Sequence, residues 1–155
     1  MANLESTYLG LQIKSPLVVS SCPLSYHLDN LRRMEAAGAG AVVLYSLFEE
    51  QIELAEMGFS SYYTEHNEEL PEALRHVASM KEYNQGAGSY LAHIYQAKQA
   101  VSIPIIGSLN GYYNSGWTRY ARLIEAAGAD ALELNIYYLP TKPHITAAEV
   151  EQMYI

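Results

Sequence analysis

The side chains best suited to chemistry in this 155-residue chain stand where short apolar runs end. They are mainly hydroxyl, amide and phenol groups, and they fall in residues 20–23, 44–46, 107–111 and 133–138. Such groups donate and accept hydrogen bonds, but they form no nucleophile–base pair with a readable spacing. The pattern therefore offers hydrogen bonds to a polar ring and little other chemistry.

Metal and phosphate chemistry has no clear pattern in the sequence. The histidines lack the spacing of a metal-ligand set and are interpreted as surface residues; they are His27, His66, His76, His93 and His144. Gly86 and Gly88 are too few for a phosphate-binding glycine motif. Cys22 is either a reactive thiolate at the end of the first strand or, as is usual for a free cysteine, a small buried apolar residue.

The composition restricts the class of protein. The formal net charge is −8, from 17 acidic and 9 basic residues, which disfavours binding to nucleic acid or anionic membranes. No stretch approaches the ~20 apolar residues of a membrane span, and the N-terminus lacks the pattern of a signal peptide. The single cysteine excludes an internal disulfide, which fits a reducing cytosol and predicts a cytoplasmic protein.

Four short apolar runs predict buried parallel strands, because none alternates cleanly between polar and apolar residues. They span residues 17–21, 41–46, 103–108 and 131–136. Helical spacing follows each strand, and the predicted N-caps of the first three helices are Ser25, Ser89 and Ser115. Thr146 and Glu149 form a capping box that opens a fourth helix.

The sequence also repeats itself. Residues 35–41 read Glu-Ala-Ala-Gly-Ala-Gly-Ala, and residues 125–131 read Glu-Ala-Ala-Gly-Ala-Asp-Ala. In each copy a glycine, Gly38 or Gly128, supplies the left-handed position that ends a helix just before an apolar strand. Repeated β/α units with short links predict an α/β fold, and this form of repeat favours a (β/α)8 barrel over a doubly wound sheet.

An irregular insertion, at about residues 47–89, separates the second predicted strand from the second helix. Its first part is acidic and predicts a helix over residues 47–57. Because the insertion follows a strand, it is either a loop over the active face of a barrel or a solvated excursion. Both interpretations are kept.

Taken together, the strand ends resemble the dihydroorotate dehydrogenase-like family of flavoproteins. Residues 8–21 are similar to the family's opening strand, whose usual form is Leu-Gly-Leu, three residues and Asn-Pro, followed by small residues. Residues 41–46 and 104–111 resemble the second and third strands, and residues 128–135, Gly-Ala-Asp-Ala-Leu-Glu-Leu-Asn, match the fourth most specifically. The resemblance covers nearly the whole chain. It implies that residues 1–155 are the first four β/α units, the N-terminal half, of one TIM-barrel domain.

The resemblance also implies an activity: FMN-dependent oxidation of a dihydropyrimidine-like substrate, as in pyrimidine biosynthesis. A base removes a proton from the substrate while a hydride moves to the flavin. Ser20 and Ser21 match small residues whose backbone lies against the flavin. Ser108 matches a position near the flavin that is often Asn, and Asn135 matches the Asn that hydrogen-bonds flavin or substrate.

Three positions depart from the family's pattern. Tyr45 stands where the family has a Lys that contacts flavin and substrate, and it is the cofactor-contacting candidate of the second strand. Tyr138 stands at the place of the catalytic Cys of the soluble enzymes; an ordinary phenol titrates near about 10 against about 8.5 for a thiol, so it is a poorer base at neutral pH. Pro140 replaces a second Asn. The next family Lys and the phosphate-binding loops would lie beyond Ile155.

Three functional hypotheses follow. The chain is a truncated dihydroorotate dehydrogenase-like oxidoreductase that binds FMN and a small-molecule substrate, and a C-terminal half would complement it. Alternatively, it is a non-enzymatic half-barrel whose open edges pair with a second copy, or an inactive fragment of a longer gene product. The unfinished apolar face of the last predicted helix favours the first and third hypotheses.

Overall fold

A computed structural model of the chain describes residues 3–49, 52, 87–111, 117–136 and 143–152. Its first element is an antiparallel hairpin of β1 (Ser6–Tyr8) and β2 (Leu11–Ile13). The two turn residues, Leu9 and Gly10, have φ angles of 53° and 77°, the left-handed conformation that two-residue hairpin turns require.

A four-stranded parallel sheet follows the hairpin. Its strands lie side by side in chain order: β3 (Val18–Val19), β4 (Ala41–Phe48), β5 (Ile105–Gly111) and β6 (Ala131–Ile136). All four predicted strands are therefore present. The fourth has its predicted bounds, the first is shorter, and the second and third continue further toward their carboxyl ends.

Helices follow the strands, as expected for β/α units. Their bounds are α1 (Leu28–Ala36), α2 (Ala87–Ala100), α3 (Trp117–Ala126) and α4 (Ala147–Gln152). The insertion thus begins after β4 and ends before α2, and apart from residues 49 and 52 it lies outside the described residues. Of the acidic helix predicted over residues 47–57, residues 47 and 48 belong to β4 instead, residues 49 and 52 are helical, and the others lie outside the described residues. None of the described helices is long and apolar enough to cross a membrane.

The helix caps follow the predictions only in part. Thr146 and Glu149 do form the capping box of α4: the Thr146 N–H donates to Glu149 Oε2 at 2.8 Å, and the Glu149 N–H donates to Thr146 Oγ1 at 3.3 Å. Ser89 lies inside α2 and does not cap it. Ser115 lies outside the described residues.

Ser25 was predicted to cap α1, and this is wrong, because α1 begins after His27. Ser25 belongs to a 3-10 turn (Pro23–Tyr26), and its buried hydroxyl donates to the Cys22 carbonyl at 2.8 Å. The same hydroxyl accepts the Tyr45 N–H at 2.7 Å. It therefore anchors the turn to β4 instead of starting a helix.

The repeat behaves as predicted. Gly38 and Gly128 have φ angles of +98° and +100°, so each occupies the left-handed position that ends its helix. A side chain at either position would strain the backbone. Each repeat therefore turns the chain from a helix into β4 or β6.

The two faces of the sheet carry different cores. On one face Leu44, Ile105 and Leu109 pack in a cluster with helix residues such as Leu31 and Ile94. On the opposite face a smaller apolar cluster lies at the start of the strands, formed by Ile13, Ala41, Val43 and Ile106. The hairpin thus covers the amino-terminal end of that second face, and its carboxyl-terminal end carries polar side chains.

The fold is accordingly α/β, with four parallel strands in chain order and helices α1, α2 and α3 on one face. This arrangement is compatible with the first units of a TIM-type barrel. Within the described part of the chain, no further strand pairs with β3 or β6 at the outer edges.

Candidate functional site

A line of hydrogen-bonded side chains crosses the sheet near the carboxyl ends of its strands. Ser21 Oγ lies 3.0 Å from Ser46 Oγ, and Ser46 Oγ lies 2.8 Å from Ser108 Oγ. The Ser108 hydroxyl donates to Glu133 Oε1 at 2.8 Å. These four residues, here named the polar row, join the end of β3 to β4, β5 and β6.

Strand register explains why the polar row is continuous. Ser46 is the Cα partner of Ser108 in the β4–β5 pairing, and Ser108 is the partner of Glu133 in the β5–β6 pairing. Partners across neighbouring strands point to the same face of a sheet. Two residues further along, Asn110 and Asn135 are also partners, so a second polar layer lies above the row.

A bulge in β4 places Ser46 in this row. Val43 pairs with Ile106 and Ser46 pairs with Ser108, so three steps along β4 match two along β5. The extra residue of a bulge changes which side chains face each way. Without the bulge, Tyr45 would stand where Ser46 stands.

Tyr45 instead packs on the helix side of the sheet. Its ring stacks on Tyr26 with centroids 3.9 Å apart and meets the edge of Tyr90 at 5.0 Å. The residue is only 6% exposed, and burial raises the pKa of its phenol to about 12. The structure therefore does not bring Tyr45 to the polar row, and this placement does not support the ring contact expected of it.

Two buried side chains of α2 support the strands from behind. The Tyr90 phenol accepts the Ser108 N–H at 2.8 Å and donates to the Ser108 carbonyl at 3.1 Å. His93 Nε2 donates to the Ser25 carbonyl at 2.8 Å. Burial raises the pKa of Tyr90 and lowers the pKa of His93, so both side chains are neutral at physiological pH. His93 is thus a buried structural residue, although the sequence placed it at the surface.

Asn135 lies at the open side of the row. Its amide nitrogen approaches Glu133 Oε1 at 3.3 Å and Ser108 Oγ at 3.4 Å, and its side chain is exposed. Asn110, its partner on β5, has a buried Oδ1 with no hydrogen-bond partner in the described part of the chain. An unsatisfied buried acceptor is costly, so this atom is available to a ligand donor.

The predicted site residues are brought together in part. Ser21, Ser108 and Asn135 meet at the polar row, whereas Ser20 is exposed beside it without a side-chain contact to it. Tyr138 lies outside the described residues. The contacts predicted between these residues and a cofactor or substrate stay predictions.

Ser46, Asn110 and Glu133 lay within the strand ends that the sequence marked, but none of them was singled out as a site residue. A signal for Glu133 was available, because it lies two residues before Asn135 in a strand and so shares its face, between two leucines. No comparable signal existed for Ser46, because only the bulge places it in the row. Among the described residues, no group of three potential ligands could hold a metal ion.

Comparison with known proteins finds a distant similarity to a curated protein. No protein-family model matches the chain. The chain is 28% identical over 151 residues to a protein of Thermoplasma volcanium described as "Dihydroorotate dehydrogenase B (NAD(+)), catalytic subunit". The match covers 97% of this chain and 46% of that protein, so the chain spans about half the length of this relative. The similarity supports a distant relationship to the dihydroorotate dehydrogenase family.

Proposed function

We propose that this chain is the N-terminal part of a dihydroorotate dehydrogenase-like, FMN-dependent oxidoreductase that acts on a dihydropyrimidine-like substrate. The polar row carries this proposal, because it unites four parallel strands at their carboxyl ends and ends beside Asn135. In α/β folds, ligands bind outside the carboxyl ends of the strands. The relative's printed activity fits the same chemistry.

The residues at this position fit the ring of a flavin. A flavin presents carbonyl acceptors and one ring N–H donor along its pyrimidine edge. The buried Asn110 Oδ1 can accept from such an N–H, and the amide nitrogen of Asn135 can donate to a ring carbonyl. The orphaned acceptor is the observation that favours a ligand with a donor edge.

The chain's own residues would hold and orient the ring. When bound, FMN would accept a hydride, that is, two electrons together with one proton, from a reduced substrate. Asn135 would fix the edge of the ring, and the polar row would fix Asn135 through Ser108 and Glu133. Tyr138, at the family's base position, is proposed to take the substrate proton.

A complete barrel is part of this proposal. Four consecutive β/α units in chain order would form half of a (β/α)8 barrel, and the outer edge of β6, unpaired within the described ranges, would receive the next strand. A complementing C-terminal half would supply that strand. The exposed side chain of Ile136, at 51%, lies at the end of this edge strand.

The direct experiment is a titration of the full chain with FMN, followed by flavin fluorescence. We expect saturable binding that Asn135→Ala weakens about fivefold, which corresponds to one hydrogen bond of about 1 kcal/mol. Asn3→Ala, an exposed residue of the N-terminal segment, is the matched control and should bind as the wild type does. Equal affinity in Asn135→Ala removes Asn135 from the site, and a chain that takes up no FMN contradicts the proposal.

A second candidate function is self-association without catalysis. The observation in its favour is the outer edge of β6, which has no partner strand among the described residues, because exposed strand edges pair readily with other chains. Light scattering on the flavin-free chain distinguishes the two. A sharp dimer that does not bind FMN supports this alternative, whereas a flavin-free aggregate supports an inactive fragment.

A further inference from the structure

We infer that Glu133 controls how readily the ring at this site is reduced, because its carboxylate disfavours the negative charge that reduction adds. Glu133 lies in the polar row, and its Oε1 is 3.3 Å from the amide nitrogen of Asn135. The inference rests on the proposed function, since it requires a flavin beside Asn135. It adds to that function a residue that sets a reduction potential.

The hydrogen bonds of the polar row run in one direction, and the carboxylate determines it. An ionised carboxylate only accepts, so Ser108 gives its single hydroxyl hydrogen to Glu133. Ser46 must then donate to Ser108, and Ser21 must donate to Ser46. The row therefore holds the carboxylate in place, and none of its hydroxyl hydrogens is left to stabilise a charge on a ring.

No cation offsets Glu133 in the described part of the chain. The ion pairs found there join Arg32 to Asp29 on α1 and Lys98 to Asp130 at the start of β6. No hydrogen bond or ion pair joins a Lys or Arg to any member of the row within the described ranges. Glu133, the one charged member of the polar row, therefore has no cationic partner among the described residues.

The charge has a definite consequence for reduction. Uptake of two electrons and one proton adds one negative charge to a flavin ring. A carboxylate nearby repels that charge, and the repulsion is stronger at a partly buried site than in water. Glu133 therefore favours the oxidised ring, and a neutral side chain at position 133 favours the reduced one.

The experiment measures the reduction potential of FMN bound to the full chain. Protein and a reference dye are reduced together by dithionite, which supplies the electrons, and the two absorbances are compared at equilibrium. In Glu133→Gln, the equilibrium constant for flavin reduction should rise about tenfold, which is an upward shift of about 30 mV for a two-electron couple. Glu133→Asp keeps the charge and should stay near the wild-type value.

Glu125→Gln is the matched control, because it removes one negative charge from an exposed position on α3. It should leave the potential unchanged. A potential that does not rise in Glu133→Gln, or that rises equally in Glu125→Gln, overturns the inference while FMN binding stands. Should Glu133→Gln not fold, Glu133→Asn is compared with Glu133→Asp. A wild-type chain that binds no FMN overturns the inference together with the proposed function.

Discussion

The phenol oxygen of Tyr90 serves both backbone groups of Ser108: it accepts the N–H at 2.8 Å and donates to the carbonyl at 3.1 Å. A bulge leaves strand groups locally unpaired, and the β4 bulge between Val43 and Ser46 lies beside this residue. At Ser108 the Tyr90 phenol forms hydrogen bonds with both the N–H and the carbonyl. Helix α2 thereby supports the centre of the polar row.

Tyr90→Phe should destabilise the chain, because it removes the hydroxyl that bonds both the N–H and the carbonyl of the buried Ser108. We expect the free energy of unfolding to fall by about 1–3 kcal/mol, measured by chemical denaturation. Tyr95→Phe, on the exposed side of the same helix, is the control and should change it little. Equal stability of the two variants would show that water satisfies Ser108.

Tyr45→Phe should change the free energy of unfolding in the opposite direction and stabilise the chain. The Tyr45 hydroxyl is buried, and it has no hydrogen-bond partner among the described residues. Its removal should raise the free energy of unfolding by about 1 kcal/mol, because an unsatisfied buried group is lost. FMN affinity should not change, since Tyr45 faces the helices. A loss of affinity would place Tyr45 at the site after all.

Gly107→Ala should lower the free energy of unfolding, because an added Cβ would lie 2.5 Å from Ile124 Cγ2. Overpacking of this kind costs about 1–3 kcal/mol. Gly88→Ala is the matched control: it lies in α2 with open space around it, so it should stabilise the helix by about 0.5–1 kcal/mol. Thermal unfolding followed by circular dichroism measures both. Similar changes in the two variants would contradict the close contact of β5 with α3.

Asp130 should contribute more to the free energy of unfolding than its ion-pair partner Lys98 does. Its carboxylate accepts from Lys98 Nζ at 2.7 Å and also from the Ile105 N–H at 2.7 Å, so it joins α2, β5 and β6. Asp130→Ala loses both contacts and should cost about 1–3 kcal/mol, whereas Lys98→Met should cost about 1 kcal/mol or less. Urea denaturation measures the two variants. Equal losses would show that the bond to Ile105 contributes nothing.

His93 should make the chain less stable in mild acid. Burial, with a smaller contribution from His27, lowers its pKa from the ordinary value of 6.5, while the bond to the Ser25 carbonyl opposes this shift. Below pH 6.5 the unfolded chain therefore binds a proton that the folded chain does not, so stability falls as the pH falls through that value. The acid-side slope of stability against pH should flatten in His93→Gln. It should persist in His144→Gln, which changes an exposed residue, and a slope that persists in both variants would assign the effect to other groups.

Local patterns predicted much of the fold. The four apolar runs became the four parallel strands, as continuous apolar runs indicate. The predicted burial holds for the central strands β4 and β5, whereas the outer strands β3 and β6 are half-buried or exposed. Gly38 and Gly128 took the left-handed conformation that a helix end requires, and Thr146 with Glu149 formed the capping box. Each of these features depends on neighbours within a few residues, so the sequence alone contained the information.

The site depended on strand register, which is not a local property. The family resemblance marked Ser108 and Asn135, and strand pairing in the tertiary structure placed Ser46 and Glu133 beside Ser108. A single extra residue in β4 reverses which side chains face the row, and it exchanged Tyr45 for Ser46. Likewise the Ser25 hydroxyl does not cap a helix but accepts a hydrogen bond from the N–H of Tyr45, twenty residues further along the chain. The sequence by itself thus determined the elements and their order, and pairing between distant strands decided which side chains form the site.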